Sequence, residues 1–129
     1  MDMVWMDRLG GVASATCAVH CLVLSFAPAL VALLGLELFA DELFEWAFFG
    51  TALVFALLAA VVGYSGHRTW WVAAGFGVGM GTLIAGRLGE ALELFEGGGV
   101  VSIVGGALLL ASHLASLRCT AACRAAQCA

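Results

Sequence analysis

The residues of this sequence best suited to chemistry are two thiols and an imidazole, Cys17, His20 and Cys21. Each residue of an α-helix turns by about 100°, which places these three side chains on one face within little more than a turn. Two thiolates and an imidazole favour soft ions such as Hg²⁺, Cu⁺, Zn²⁺ or Cd²⁺, whereas Mg²⁺ and Ca²⁺ prefer oxygen ligands. The spacing therefore predicts a soft-metal site.

Packing is the alternative explanation for these residues. A lone cysteine in an apolar helix is usually a small hydrophobic residue, and a lone histidine often bridges two helices. A titratable ring between two thiols on one face is harder to explain by packing, because polar groups are costly inside a membrane. We therefore prefer the ligand interpretation for Cys17, His20 and Cys21.

A second group of candidate ligands lies towards the end of the chain, where His113 precedes Cys119 and Cys123. The two cysteines are spaced i, i+4, so one helical turn presents both thiols on the same side. A soft ion could pass from the first group to the second by ligand exchange. We interpret Cys128 as a dispensable thiol.

The amino-acid composition indicates what class of protein carries these residues. The 129 residues are 64% apolar and 11% charged, compared with about 45–50% and roughly 25% in soluble domains. A soluble fold of this length would leave too much apolar surface facing water. Nine acids against five arginines give a net charge of −4, which excludes a basic nucleic-acid-binding surface. The sequence predicts a small integral membrane protein.

Four charge-poor stretches are long enough to cross a bilayer core of roughly 30 Å as helices. They are residues 9–36, 43–64, 70–86 and 98–117. Because alternating β-barrel patterning is absent, we predict an all-α bundle of four transmembrane helices over residues 1–118. A short cysteine-containing cytoplasmic tail, 119–129, follows, and Pro28 is expected to kink the long first span.

The arginine positions predict the orientation, because cytoplasmic segments carry the excess of Lys and Arg. If both termini are cytoplasmic, only Arg87 lies outside. The four inner arginines are Arg8, Arg68, Arg118 and Arg124. Seven acids then face outward, as solvated helix ends that could concentrate cations. They are Glu37, Asp41, Glu42, Glu45, Glu90, Glu93 and Glu96.

The cysteine count agrees with metal chemistry. Five cysteines cannot all pair within one chain. In the predicted orientation they lie in the inner half of the membrane or in the cytosol, where thiols stay reduced. Free thiols can bind metal as thiolates, which releases protons.

Glycines in the third span predict close helix packing. Gly75, Gly77, Gly79 and Gly81 form two overlapping Gly-x-x-x-Gly pairs. In lipid, such small residues let helix backbones approach one another. A dinucleotide-binding fingerprint would instead require a preceding strand and an acid about 20 residues further on. We therefore assign these glycines to packing.

Several segments resemble the MerC family of bacterial inner-membrane mercury-resistance proteins. The two carrying most of the resemblance are Met6–Gly10 and Ser14–Cys21. Asp41–Glu45, Gly63–Arg68 and Ser112–Cys119 are also similar to family segments. The resemblance extends to about residue 123, and so covers almost the whole chain.

The resemblance implies four transmembrane helices and transport of mercuric ion towards the cytoplasm, with neither enzymatic activity nor a permanently bound cofactor. It implies that Cys17 pairs with Cys21 as ligands, and Cys119 with Cys123. It also implies a cytoplasmic acceptor such as mercuric reductase. The family's first pair is Cys-x-x-Cys, whereas His20 stands before the second cysteine here, which keeps Zn²⁺ and Cu⁺ open as cargo.

Three alternatives remain. Adding His20 and His113 to the thiolates would build a near-tetrahedral Zn²⁺ site. A membrane thiol-redox protein would use Cys17 and Cys21, although an i, i+4 disulfide in a helix is strained. A non-transporting subunit would pack through its glycines and bind nothing. The sequence does not decide whether four further residues take part in transport, Cys128, His67, Glu45 and Glu90.

Overall fold

The computed structural model of the protein describes residues 3–26, 33–35, 41–94 and 96–128. The side chains of several helical residues, Cys17, Cys21, His67 and Cys128 among them, lie outside that description. The described helices are α1 (Met3–Phe26), α2 (Glu42–His67), α3 (Trp70–Ala91) and α4 (Gly98–Cys128). No strand occurs in these ranges, and the all-α prediction is confirmed for them.

Three helices of the described chain are long and apolar enough to cross a membrane, not the four predicted. They are Glu42–Gly66, Trp70–Ala91 and Gly98–Cys123. The first predicted span, 9–36, continues past α1 into residues outside the described ranges, and the predicted kink at Pro28 lies there too. The chain is a multi-pass membrane protein, and the orientation of its termini stays a prediction.

The helices bury small or medium-sized side chains and expose large apolar ones. The core contains Ala52 and Ala56 of α2, Phe76 and Leu83 of α3, and Leu109 of α4. Many outward positions carry Leu, Val or Trp, which would be costly in water but suit a bilayer. This inverted pattern explains the apolar composition.

Capping residues and charge set the ends of α2. The Leu43 N–H donates to Asp41 Oδ1 over 2.8 Å, and the first turn is acidic, which complements the helix dipole. Arg68 ends the helix in the left-handed region with φ 50°. The predicted second span ends at residue 64, whereas α2 continues to His67.

Backbone contact through glycines joins α3 to α4, the most extensive interface of the bundle. A Cβ at Gly105 would stand 2.5 Å from the Leu83 nitrogen, and one at Gly86 would stand 2.6 Å from the Ser102 nitrogen. These separations are too short for any side chain, so the two helices touch through their main chains.

Only one of the two predicted Gly-x-x-x-Gly pairs faces this interface. A Cβ at Gly75 would lie 2.7 Å from Ser112 Oγ, and one at Gly79 would lie 2.8 Å from Leu109 Cδ2. No atom of the described residues lies within 4 Å of the Cβ positions at Gly77 and Gly81. The packing role is therefore confirmed for the first pair, while the second faces away.

α1 lies against α4 through a histidine that occupies a glycine-sized space. A Cβ at Gly10 would overlap the His113 imidazole, whereas a Cβ at Gly11 would make ordinary contact, 3.7 Å from His113 Cβ. The edge of the ring meets Phe76 of α3, with centroids 4.8 Å apart and planes at 81°. His113 thus connects three helices.

We predict that Gly105→Ala destabilises the bundle by about 1–3 kcal/mol, because the new methyl group cannot fit beside the Leu83 main chain. Gly81→Ala is the matched control, since its Cβ meets nothing and alanine favours helix by up to about 1 kcal/mol. Thermal unfolding in detergent, followed by circular dichroism, measures both. Equal midpoints for the two variants would contradict the interface.

We predict that Gly10→Ala also lowers the free energy of unfolding, by about 1–3 kcal/mol, because the imidazole of His113 must move. Gly11→Ala, one position along, should change it by much less. Denaturant titration in micelles compares the two variants. A larger loss from Gly11→Ala than from Gly10→Ala would show that α1 and α4 meet in another register.

Candidate functional site

The first predicted ligand group lies on α1, which is continuous through Cys17, His20 and Cys21. The helical backbone therefore gives the three positions the spacing that the prediction requires. The His20 ring contacts the Phe48 ring of α2, with centroids 4.8 Å apart and planes at 39°. His20 thus lies between α1 and α2, while the side chains of the two cysteines are outside the described residues.

An open cavity of about 340 Å³ lies between α1 and α2 next to this group. Its α1 wall includes Thr16, one turn before His20, and its α2 wall includes Phe48 and Thr51. The Thr16 hydroxyl donates to the Val12 carbonyl over 2.8 Å, so its proton is used within its own helix. The cavity is largely apolar and opens beside the predicted ligands.

His113 lies at a different level of the bundle. It is fully buried, as is Ser116, and Ser112 and Thr120 are also buried on α4. The Thr120 hydroxyl donates to the Ser116 carbonyl over 2.9 Å, which satisfies one of these polar groups within the helix. A buried polar stripe therefore follows α4 on both sides of the imidazole.

The two imidazoles are separated along the bundle. His113 packs against Gly10, and His20 lies ten residues further along α1, which corresponds to roughly 15 Å of helix rise. Their ring partners also differ, being Phe76 for His113 and Phe48 for His20. The structure does not bring these two rings together at one point.

The second cysteine pair extends from the same helix as His113. Cys119 is partly buried against the core, Cys123 is exposed, and both are free thiols. The residues predicted to form a tail continue α4 as far as Cys128. One turn of a continuous helix therefore carries Cys119 and Cys123, as the i, i+4 spacing requires.

Within the ranges that the structure describes, no group of three or more His, Cys, Asp or Glu side chains could hold a metal ion. The thiols of Cys17 and Cys21 are not among the described side chains. The ligand assignments therefore stay predictions. What the structure adds is their order along the helices.

An ion pair at the opposite end of the bundle was not predicted. Arg87 of α3 contacts Glu45 of α2 over 2.6 Å and Glu90 over 3.7 Å, and its guanidinium carbon lies 5.0 Å from the Trp46 ring centre. The predicted third span ends at residue 86, before Arg87, yet α3 continues to Ala91. Arginine is tolerated in this helix because its charge is neutralised.

Two further acids of this end also have structural partners. Asp41 caps α2, as described above, and Glu42 Oε1 accepts from the Trp46 indole N–H over 3.3 Å. Both acids are exposed and keep their charge, as expected of solvated helix ends. Only Glu45 and Glu90, which pair with Arg87, contribute less negative charge to this end.

Most of the chain matches the model of a known protein family. Residues 7–118 match the family model described as "MerC mercury resistance protein". No curated protein and no solved structure matches the chain. The matched range begins in the first turns of α1 and ends one residue before Cys119. Because the match extends over most of its length, the chain belongs to the MerC family of mercury resistance proteins.

Proposed function

We propose that the protein is a carrier that moves mercuric ion across a bacterial inner membrane towards the cytoplasm, with both termini on the cytoplasmic side. Membership of the MerC family and the apolar, multi-pass fold support this function. The single observation that carries it is the packing of α1, which bears Cys17 and Cys21, against α4, which bears Cys119 and Cys123.

The first step of the proposed mechanism is capture by Cys17 and Cys21. Each thiol loses its proton, and the two sulfurs hold Hg²⁺ in linear coordination, which suits a soft ion. The cavity between α1 and α2, at Thr16 and Thr51, gives this group a route to the surface of the bundle. Glu45 contributes little to attracting the ion, because Arg87 neutralises it.

The second step is exchange from the first cysteine pair to Cys119 and Cys123. An incoming thiolate bonds to the ion as a departing sulfur regains a proton, so charge and ligand number are conserved. Counted from the Gly10 contact, His113 lies about 10 Å along the bundle from both Cys17 and Cys119. We therefore assign His113 to an intermediate position on the route rather than to a site shared with His20.

A cytoplasmic acceptor such as mercuric reductase would then take the ion from the second pair. Cys123 is exposed and Cys119 is partly buried, so an acceptor can reach at least the first of these sulfurs directly. Ligand exchange with the acceptor's thiols would release the carrier for another cycle.

We predict that Cys17→Ser with Cys21→Ser reduces mercury uptake to the background level, because no dithiolate remains to capture the ion. Cys119→Ser with Cys123→Ser should also stop uptake, but leave one bound Hg²⁺ per chain. Radioactive mercury accumulation in cells measures uptake, and Cys128→Ser is the matched control. Normal uptake by the first double variant, present in the membrane at the usual level, would disprove the proposal.

The cargo can be identified by elemental analysis of purified protein exposed separately to Hg²⁺, Zn²⁺ and Cu⁺. We expect about one Hg²⁺ per chain and little Zn²⁺, because two thiolates complete a linear mercury site whereas zinc requires four ligands. His20→Ala should retain Hg²⁺, since the ring is not needed for linear coordination. Retention of Zn²⁺ that His20→Ala abolishes would instead establish a zinc carrier.

A further inference from the structure

A second open cavity, which we call the α4 groove, lies on the outer face of α4 near its carboxyl end. It has a volume of about 500 Å³, and its described lining consists of Trp71 of α3 and six residues of α4, Ala111, Leu114, Ala115, Arg118, Cys119 and Ala122. Arg118 is the only charged side chain among these described residues. The groove is therefore an apolar trough with one cation in its wall.

The α4 groove borders the core at Ala115 and Cys119, which pack against it, and opens outward at Arg118. Helical steps of about 100° place Arg118 roughly 140° around α4 from His113, which is buried against α1 and α3. Trp71 and Leu114 are each about half exposed, at 53% and 50%. In a bilayer the exposed part of this surface meets lipid, because no other helix of the described ranges covers it.

The groove also has a defined position along the membrane-spanning segment. Ala111, Leu114 and Ala115 lie well inside the span Gly98–Cys123, and Arg118 lies one turn nearer its end. The apolar part is therefore at the depth of acyl chains, and the guanidinium is close to the depth of head groups. Trp71, in the first turn of α3, is an aromatic residue of the kind that lies at this boundary.

Charge at this end of the bundle has one sign among the side chains that the structure describes. Arg8, Arg68 and Arg118 lie here, near the start of α1, the end of α2 and the end of α4. Asp7 precedes Arg8 in α1, and its side chain lies outside the description. The described acidic side chains lie at the opposite end, in and before α2 and around the turn between α3 and α4. The α4 groove therefore complements an anionic head group.

We propose that the α4 groove is a binding site for one anionic phospholipid. An acyl chain occupies the trough beside Leu114, the phosphate pairs with Arg118, and Trp71 packs beside the glycerol region. Basic pockets between transmembrane helices bind anionic head groups through the same combination of charge and apolar wall. Cys119, a ligand of the proposed transport, also lines the groove. The test measures lipid retention by metal-free protein, so its result does not depend on the proposed transport.

The experiment is native mass spectrometry of the whole protein, purified after reconstitution with equal amounts of phosphatidylglycerol and phosphatidylcholine. We expect phosphatidylglycerol to be retained in preference. Arg118→Gln should lower its retention about fivefold, the effect of roughly 1 kcal/mol per basic residue near the membrane surface. Arg68→Gln is the matched control, because Arg68 is an exposed arginine at the same end that does not line the groove.

A second variant separates the groove from charge alone. Leu114→Trp fills the trough without changing any charge, and we expect it to lower phosphatidylglycerol retention as well. Circular dichroism checks that each variant remains helical. Retention unaffected by Arg118→Gln, equal losses from Arg118→Gln and Arg68→Gln, or displacement of the lipid by inorganic phosphate would each overturn the proposal.

Discussion

The contact of Gly10 with the His113 imidazole is the constraint on which the arrangement of candidate ligands depends. Lipid provides no hydrophobic drive for two apolar helices to associate, so they are held by close packing and by polar groups that have no better environment. His113 supplies close packing and a polar group at the same place, because its imidazole ring fills a glycine-sized space on α1 and contacts Phe76 on α3. One side chain thus sets the register between the two cysteine-bearing helices.

The sequence was sufficient to predict an all-helical chain and the membrane-spanning parts of α2, α3 and α4, because hydropathy is a local property. It could not predict that α3 passes through Arg87 without ending, because that depends on Glu45, which is distant in sequence. It also could not separate Gly79, which lies at the α4 interface, from Gly81, which faces away. In each case the missing information was which face of a helix meets its neighbour.

The candidate site shows the same division between local spacing and long-range contact. The i, i+4 spacing of Cys119 and Cys123 was enough to place both on one turn, and α4 is continuous there. The relation of His20 to His113 was not accessible, because Phe48 and Gly10 position the two rings at different levels. Two histidines that could both bind the same soft ion can therefore act at different points along the transport route.

The continuity of α4 has a mechanical consequence. Its 31 residues form a rod of about 46 Å, longer than a hydrocarbon layer of roughly 30 Å. On a flexible linker the thiol could occupy many positions, whereas on a continuous helix Cys123 stays at a nearly constant height and on one side of α4. A protein that takes the ion must therefore approach the side of α4 that carries Cys123, and this side is set by the fold before the two proteins meet.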